Sequence, residues 1–440
     1  MLFYEHGFQS ITDVETINTT ISITCGFQPK ALRFTWVGID APVSGTSNTS
    51  TTKDEVRGVG FAASTTSRSA VCTFSDDGPT ASACDSIWSN TSCIIFIDGA
   101  GIIAKIDINS IDSNGFTLIV DQALGLGQGP YLVKWEAWGG SDITNVTIGS
   151  IAEPAAIGTQ NYTATGFVAS PFVQDQCVML AGVQTVNATD TIQAQDSGLY
   201  MGFATSTSTS NNIVVAGNSD TGSLTMDTDN YVFTGECVAM TVIAGGNTTC
   251  RARLSAYGTD TFTLNWLARA TTNRRSIYMA IKGGLWTAGN TTIDGTTLNA
   301  TATISGFPFR MRGGCLIGAG TAINSAGGFT ANDKIGYGSF RKGNGLSGTV
   351  DDVVYRAFLT VFDVNAQADA TILMGYHAER VLGFMNTNTD NLGPMYDITF
   401  GGNSATLTTT TTGGVANEWV GYLVFGDNTT MTSVGHPFIL

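Results

Sequence analysis

Charge is scarce in this sequence. Asp, Glu, Lys and Arg make up 12% of its 440 residues, about half the ~25% usual for a soluble domain. Histidine is scarcer still: the three are His6, His377 and His436, and none stands in HExxH or another metal-binding spacing. No CxxC pair occurs, which excludes the zinc-ribbon and thioredoxin-type chemistries that need one. There is no GxSxG elbow and no P-loop, so no motif asks for a cofactor or a nucleotide. No run approaches the ~18 apolar residues that cross a bilayer as a helix. The opening MLFYEHGFQS places Glu5 and His6 where a signal peptide needs a basic start and an apolar stretch. The expectation is a chain made in the cytoplasm without membrane insertion. A net charge of −15 also lacks the basic footprint of a nucleic-acid binder.

What fills the sequence instead is Gly, Ser, Thr and Asn around apolar strands. The eight cysteines sit in runs such as SAVCTF, QCVMLAG and GGCLIGAG, and they read as buried thiols. Cys84 and Cys93 form the one local pair suited to a disulfide.

The sequence repeats. CGFQPKALRFTWVG begins at Cys25, TGFVASPFVQDQCVMLAGV at Thr165 and SGFPFRMRGGCLIGAG at Ser305, so Gly26-Phe27, Gly166-Phe167 and Gly306-Phe307 recur every 140 residues. Between the first two copies Gly60-Phe61 answers Gly202-Phe203, SDDG at Ser75 answers SDTG at Ser219, and Cys93 answers Cys237. This period is too long for a solenoid and suits tandem domains. Cuts near the Thr-rich strands give modules 1–148, 149–293 and 294–440, the third divergent in its middle.

Within a module the hydrophobic period is two. Leu32, Phe34 and Trp36 alternate with Arg33 and Thr35. Phe116, Leu118 and Val120 alternate with Thr117 and Ile119, and Phe262, Leu264 and Trp266 do the same. This pattern predicts half-buried strands, and Asn114-Gly115 predicts a tight hairpin turn. The fold class expected is all-β, three tandem antiparallel β-sandwiches of jelly-roll-like character.

Few residues suggest chemistry. Asp76 and Asp77 could ligate a cation, but the second copy keeps Ser219, Asp220 and Gly222 and replaces the second aspartate with Thr221, the pattern of a structural turn. Asp351, Asp352, Asp363 and Glu379 could supply a glycosidase carboxylate pair, and Trp88, Trp138 and Trp286 could be sugar platforms if exposed. No catalytic residue is assigned. Arg251, Arg253, Arg274 and Arg275 head a basic cluster, continued by Arg269, Lys282, Arg310, Arg312, Arg341 and Lys342. It reads either as a ledge for acidic neighbours or as a docking site for an acidic partner or anionic glycan. The uncharged surface and the apolar C-terminal GHPFIL predict a homo-oligomer.

The stretch GFQPKALRFTWVG, with GVGFAAS, RSAVCTFSDDG, NGFTLIVD and WGGSDITNVTIG behind it, resembles a repeated β-rich module of tailed-bacteriophage virion proteins. Such modules open on a Gly-Phe-x-Pro-Lys strand and close on a Gly-Gly-x-Asp/Leu-Thr-Asn strand. The resemblance covers residues 26–149, 166–293 and, most thinly, 306–440. It implies a structural component of the virion exterior, assembled in the host cytoplasm among other virion proteins. The first choice is a tail-associated adhesin or adaptor, with a host-surface glycan as the other partner class. A capsid decoration protein is the rival, and a glycan-degrading enzyme is the reading from another class.

Overall fold

The computed structural model describes residues 1–38, 47–50, 54–76, 84–169, 174–184, 188–194, 197–219, 228–242, 247–270, 274–324, 330–331, 333–342, 354–363, 373–385, 392–401 and 403–427. Among these residues the only helical element is a 3-10 turn, Thr209–Asn211. Everything else that is regular is antiparallel strand.

The strands fall into three sets of eleven. The first set is β1 (Phe3–Ile11), β2 (Thr20–Thr24), β3 (Pro29–Gly38), β4 (Ser47–Ser50), β5 (Glu55–Ala62), β6 (Arg68–Ser75), β7 (Cys84–Ser89), β8 (Ile94–Asp98), β9 (Gly101–Asp112), β10 (Gly115–Gln122) and β11 (Tyr131–Gly139). The second is β12 (Ile143–Ala152), β13 (Gly158–Thr163), β14 (Gln176–Val183), β15 (Gln193–Ala194), β16 (Ser197–Ala204), β17 (Asn212–Ser219), β18 (Thr228–Thr234), β19 (Val238–Val242), β20 (Asn247–Gly258), β21 (Thr261–Ala268) and β22 (Arg275–Gly283). The third is β23 (Leu285–Ile293), β24 (Thr301–Ile304), β25 (Arg310–Gly318), β26 (Thr330–Ala331), β27 (Asp333–Lys342), β28 (Val354–Asp363), β29 (Leu373–His377), β30 (Leu382–Met385), β31 (Leu392–Phe400), β32 (Ala405–Thr411) and β33 (Glu418–Asp427).

Each set builds a sandwich of one seven-stranded and one four-stranded sheet with the same strand order. In module 1 these are β1-β11-β3-β5-β6-β7-β15 and β2-β10-β9-β8. The other modules repeat them as β12-β22-β14-β16-β17-β18-β26 with β13-β21-β20-β19, and β23-β33-β25-β27-β28-β29-β4 with β24-β32-β31-β30. Sheet membership places the module junctions at 140–142 and at Gly284, earlier than cuts at 148 and 293. The Thr-rich strands β12 and β23 open the following module by pairing with β22 and β33.

The seventh strand of each large sheet comes from a neighbouring module. β15 of module 2 pairs with β7 of module 1, β26 of module 3 with β18 of module 2, and β4 of module 1 with β29 of module 3. In every case the donated strand leaves its own module between the third and fifth strands of its set. The three donations run in one rotational sense, so the chain closes into a pseudo-threefold ring. Each donation also covers a sheet edge that would otherwise leave backbone groups unpaired.

The cores follow from this closure. Three separate cores lie between the two sheets of each module, and a fourth, shared by all three modules, lies on the opposite faces of the large sheets. A large sheet is therefore covered on both sides. Leu32, Phe34 and Trp36 face the core of module 1, while the alternate residues Arg33 and Thr35, expected toward solvent, are 1% exposed at the ring's centre. The outer sheets keep the expected alternation: β10 and β21 bury every second residue and leave the others half-buried.

The sequence landmarks are structural. Gly26, Gly166 and Gly306 have φ of +78°, +81° and +86°, a region that L side chains rarely adopt. The phenylalanines that follow Gly166 and Gly306 are buried. Gly60, Gly202 and Gly338 serve another need. A Cβ at each would overlap the carbonyl oxygen of Cys93, Cys237 and Val381 respectively, where the small sheet crosses close over the large one.

Candidate functional site

The ring has two covalent junctions and one closed by contact alone, the seam between modules 3 and 1. Beside that seam, at the centre of the ring, lies a buried grouping of ionisable side chains. β3 supplies Arg33 and β11 supplies Lys134 and Glu136, with Arg33 directly opposite Glu136 in the ladder. All three are 0–1% exposed. Arg33 Nε donates to Glu136 Oε2 at 2.6 Å, its terminal nitrogen pairs with the same carboxylate, and Lys134 Nζ lies 3.2 Å from that oxygen. Glu136 Oε1 accepts from the Tyr4 hydroxyl at 2.8 Å and from the Cys315 thiol of module 3 at 3.2 Å. Module 2 completes the cage: the Arg33 guanidinium lies 3.6 Å from Met201 Sδ and 5.5 Å from the centre of the Phe203 ring.

Electrostatics follow from this burial. Desolvation alone would raise the Glu136 carboxyl, but Arg33 and Lys134 outweigh it and hold the carboxyl at about 2. Burial lowers Lys134, with Glu136 opposing. Next to the cluster His6, whose Nε2 lies 3.3 Å from the Tyr355 carbonyl across the seam, is held below its ordinary value by desolvation and by Lys134. The equivalent pairs are apolar. Met179 faces Met279 in module 2, and Cys315 faces Leu423 in module 3. Among these equivalent pairs only that of module 1 is charged.

Clefts open at the three junctions, in equivalent positions. The cleft between modules 1 and 2, about 500 Å³, is lined by Lys30, Ser64, Thr65 and Asn145 over Ile143. That between modules 2 and 3, about 520 Å³, is lined by Gln174, Ser206, Asn211 and Thr287. The third, about 290 Å³ at the seam, holds Glu5, Arg312, Arg341 and Lys342. Here Arg341 grips Glu5 through two bonds of 2.7 and 2.6 Å and stacks on Tyr355 with its guanidinium carbon 3.9 Å from the ring centre. A fourth hollow at the seam, about 480 Å³, lies between His6 and Arg356, Glu379 and Arg380. Amide, hydroxyl and cationic groups of this kind can hold polyhydroxylated or anionic groups. Cys25 lines the third cleft, but burial and the carboxylates of Glu5 and Asp112 push its thiol up to about 12, away from thiolate chemistry.

The basic cluster expected from the sequence is not one patch. Arg251 pairs with Glu236 at 3.1 Å on the outer sheet of module 2. Arg253, two residues on, is half-buried and also acts on the Glu236 carboxyl, which burial nonetheless raises. Arg274 is 4% exposed, beside the Met240 carbonyl, and is out of a partner's reach. Arg275 lies over the Trp88 ring of module 1, its guanidinium carbon 5.2 Å from the ring centre. Lys282 pairs with Asp175 at 2.6 Å. Most of these cations serve neighbours within the chain, whereas Arg269 is exposed near the Pro154 carbonyl.

The remaining sequence candidates are dispersed. Trp88, Trp138 and Trp286 are all buried, so none is a sugar platform. Glu379 is exposed, and its backbone N–H donates to His377 Nδ1 at 3.0 Å. Asp351 and Asp352 lie outside the described residues, as do Asp77, His436, the C-terminal GHPFIL and the side chain of Asp363. Asp76 lies just beyond the end of β6. Among the described residues no three of His, Cys, Asp and Glu converge as a metal site. All eight cysteines are buried thiols, and no disulfide joins Cys84 to Cys93. The central charge cluster was not legible as a site, because Arg33 reads as the polar half of an alternating strand. No protein-family model matches the chain, and no curated protein matches it.

Proposed function

We propose that the protein is a structural component of the exterior of a tailed-phage virion, tail-associated as an adhesin or an adaptor that carries one. The observation that supports this reading is the closure of three β-sandwiches, from one chain, into a ring around a shared core. Such a ring has pseudo-threefold symmetry, suited to sit on a threefold partner. Capsid decoration is the alternative, since a ring of this symmetry also suits a threefold position on a shell. Immunogold electron microscopy of intact particles, with antibody to the recombinant protein, tests the choice. Gold at the tail is the expected result, gold spread over the head would mean decoration, and unlabelled particles would sink both.

A further inference from the structure

More than half of the exposed large apolar side chains gather in one set of loops. Eleven large ones stand exposed among the described residues, and six of them occupy equivalent loops: Val14, Ile17, Leu126, Ile157, Leu298 and Val415. Leu126 is 98% exposed and Val14 79%. The loops are those that follow β1, β12 and β23, and those that precede β11 and β33. Because these strands hold the same places in their sheets, the ring's pseudo-threefold relates the loops and sets them at the same level of the ring. Within each module the two loops are tied together. Gly127 N donates to Asp13 at 2.8 Å in module 1, Glu153 N to the Arg274 carbonyl at 2.9 Å in module 2, and Gly295 N to the Val415 carbonyl at 3.1 Å in module 3.

Some carboxylates of these loops are tied into the loop backbone. Besides Asp13, Glu15 accepts from Thr12 N at 2.8 Å and Asp294 from Thr296 N at 2.8 Å. Carboxylates brace the loops, and aliphatic groups meet the water beside exposed hydroxyl and amide groups such as Thr16, Asn18 and Asn299. One exposed leucine means nothing, but a repeated apolar surface marks a contact.

We propose that the three loop pairs are a docking surface for a protein assembly of matching threefold repeat, with three apolar sockets, those facing modules 1 and 3 rimmed by lysine or arginine. Net charge selects this occupant. Asp13 and Glu15 flank the tip of module 1 and Asp294 that of module 3, while Arg269 stands exposed beside that of module 2. With the chain at −15, a second copy would set net negative charge against net negative charge and an anionic lipid surface would be repelled. Repetition selects the symmetry. Each tip offers one to three aliphatic groups, a weak contact alone, whereas linked contacts gain by roughly 10²–10⁴ in avidity.

The source of the partner rests on the virion reading, and the experiment separates the two. A photo-crosslinking residue, p-benzoylphenylalanine, is placed singly at Leu126, Ile157 and Leu298, with Ile323 as an exposed control, in chains supplied to particles during assembly. Purified particles are irradiated and the adducts identified by mass spectrometry. The expected result is an adduct to the same other virion protein from all three positions and none from Ile323. The triple variant Leu126→Ser/Ile157→Ser/Leu298→Ser, which changes only exposed groups, should lower incorporation about 100-fold, the lower end of that avidity gain. Adducts between copies of this chain, adducts from one module only, no adducts from incorporated chains, or unchanged incorporation of the triple variant would overturn the docking surface. Absence of the protein from purified particles would instead overturn the virion reading, and the partner with it.

Discussion

Removing one member of the central charge cluster should cost far more than removing all of it. Glu136→Met leaves Arg33 and Lys134 buried at 1% and 0% exposure without their carboxylate. Breaking a buried ion pair from one side costs about 3–5 kcal/mol, because a charge stays desolvated and uncompensated. The triple variant Arg33→Met/Lys134→Ile/Glu136→Met installs the residues that module 2 carries at the equivalent places, Met179, Ile277 and Met279. It removes the desolvation along with the attraction, and such replacements range from neutral to about 4 kcal/mol stabilising. Urea unfolding followed by tryptophan emission reads the difference directly, since all seven tryptophans are buried and exposure will shift their spectrum. The expected order of midpoints is triple variant at or above wild type, with Glu136→Met well below both. A triple variant as unstable as the single one would refute the reasoning, because the cluster would then be a net source of stability.

Acid should weaken the ring, beginning near pH 6.5. Folded His6 binds its proton less readily than the unfolded chain does, so acidification favours unfolding from about 6.5 downward. Glu136, held at about 2, adds stability that is present above about 4.3 and lost as pH falls toward 2. Carboxyls that burial raises, such as Glu236 and Glu418, pull the other way on acidification. The test is therefore the comparison with His6→Gln, which should flatten the upper part of the decline; the same pH dependence of melting temperature in both proteins would contradict the His6 contribution. Ala at Gly60, Gly202 or Gly338 drives a methyl into a backbone carbonyl and should destabilise by about 1–3 kcal/mol or more, read as a lowered urea midpoint. Substitution at exposed Gly127 serves as the comparison for φ strain, because nothing lies within 4 Å of its added Cβ. The eight thiols should resist a thiol-specific reagent in native protein and all react in denaturant, since burial pushes Cys72 and Cys237, for example, up to about 12. Fast labelling of several cysteines under native conditions would show a looser ring than described.

Much of the fold was legible because its signals are local. Period-two alternation identified the outer strands, and the recurring Gly-Phe pairs marked a backbone position with positive φ. The glycine of the second repeated pair was visible in two modules only, since Gly338 is followed by Ser339 where Gly60 and Gly202 precede phenylalanine. That divergence falls on the axis-facing residue and leaves the close carbonyl contact intact, so the structural need and the sequence motif part company. Junctions were misplaced for a related reason. A Thr-rich strand has no mark of which sheet it joins, and β12 and β23 sit directly after the Gly-Gly stretches that read as closing strands. The ring itself could not be read, because two of its three donated strands, β15 and β26, are two residues long. Their pairing depends on backbone edges brought together by the rest of the fold.

The charge at the axis shows what a single chain permits that a homotrimer does not. Three copies of module 1 around the same axis would bury three Arg-Lys-Glu clusters against one another. Each Glu136 would meet a neighbour's Arg33 where it now accepts a thiol, since Cys315 is the equivalent of Arg33. Each Arg33 would lose Met201 Sδ, because Val59 stands at that place in module 1. Here two modules supply soft, polarisable or apolar groups, and one supplies the charge. The three unequal modules that make the sequence repeat hard to follow are thus complementary where they meet across the axis. In a ring assembled from one sequence, that division of roles would have nowhere to reside.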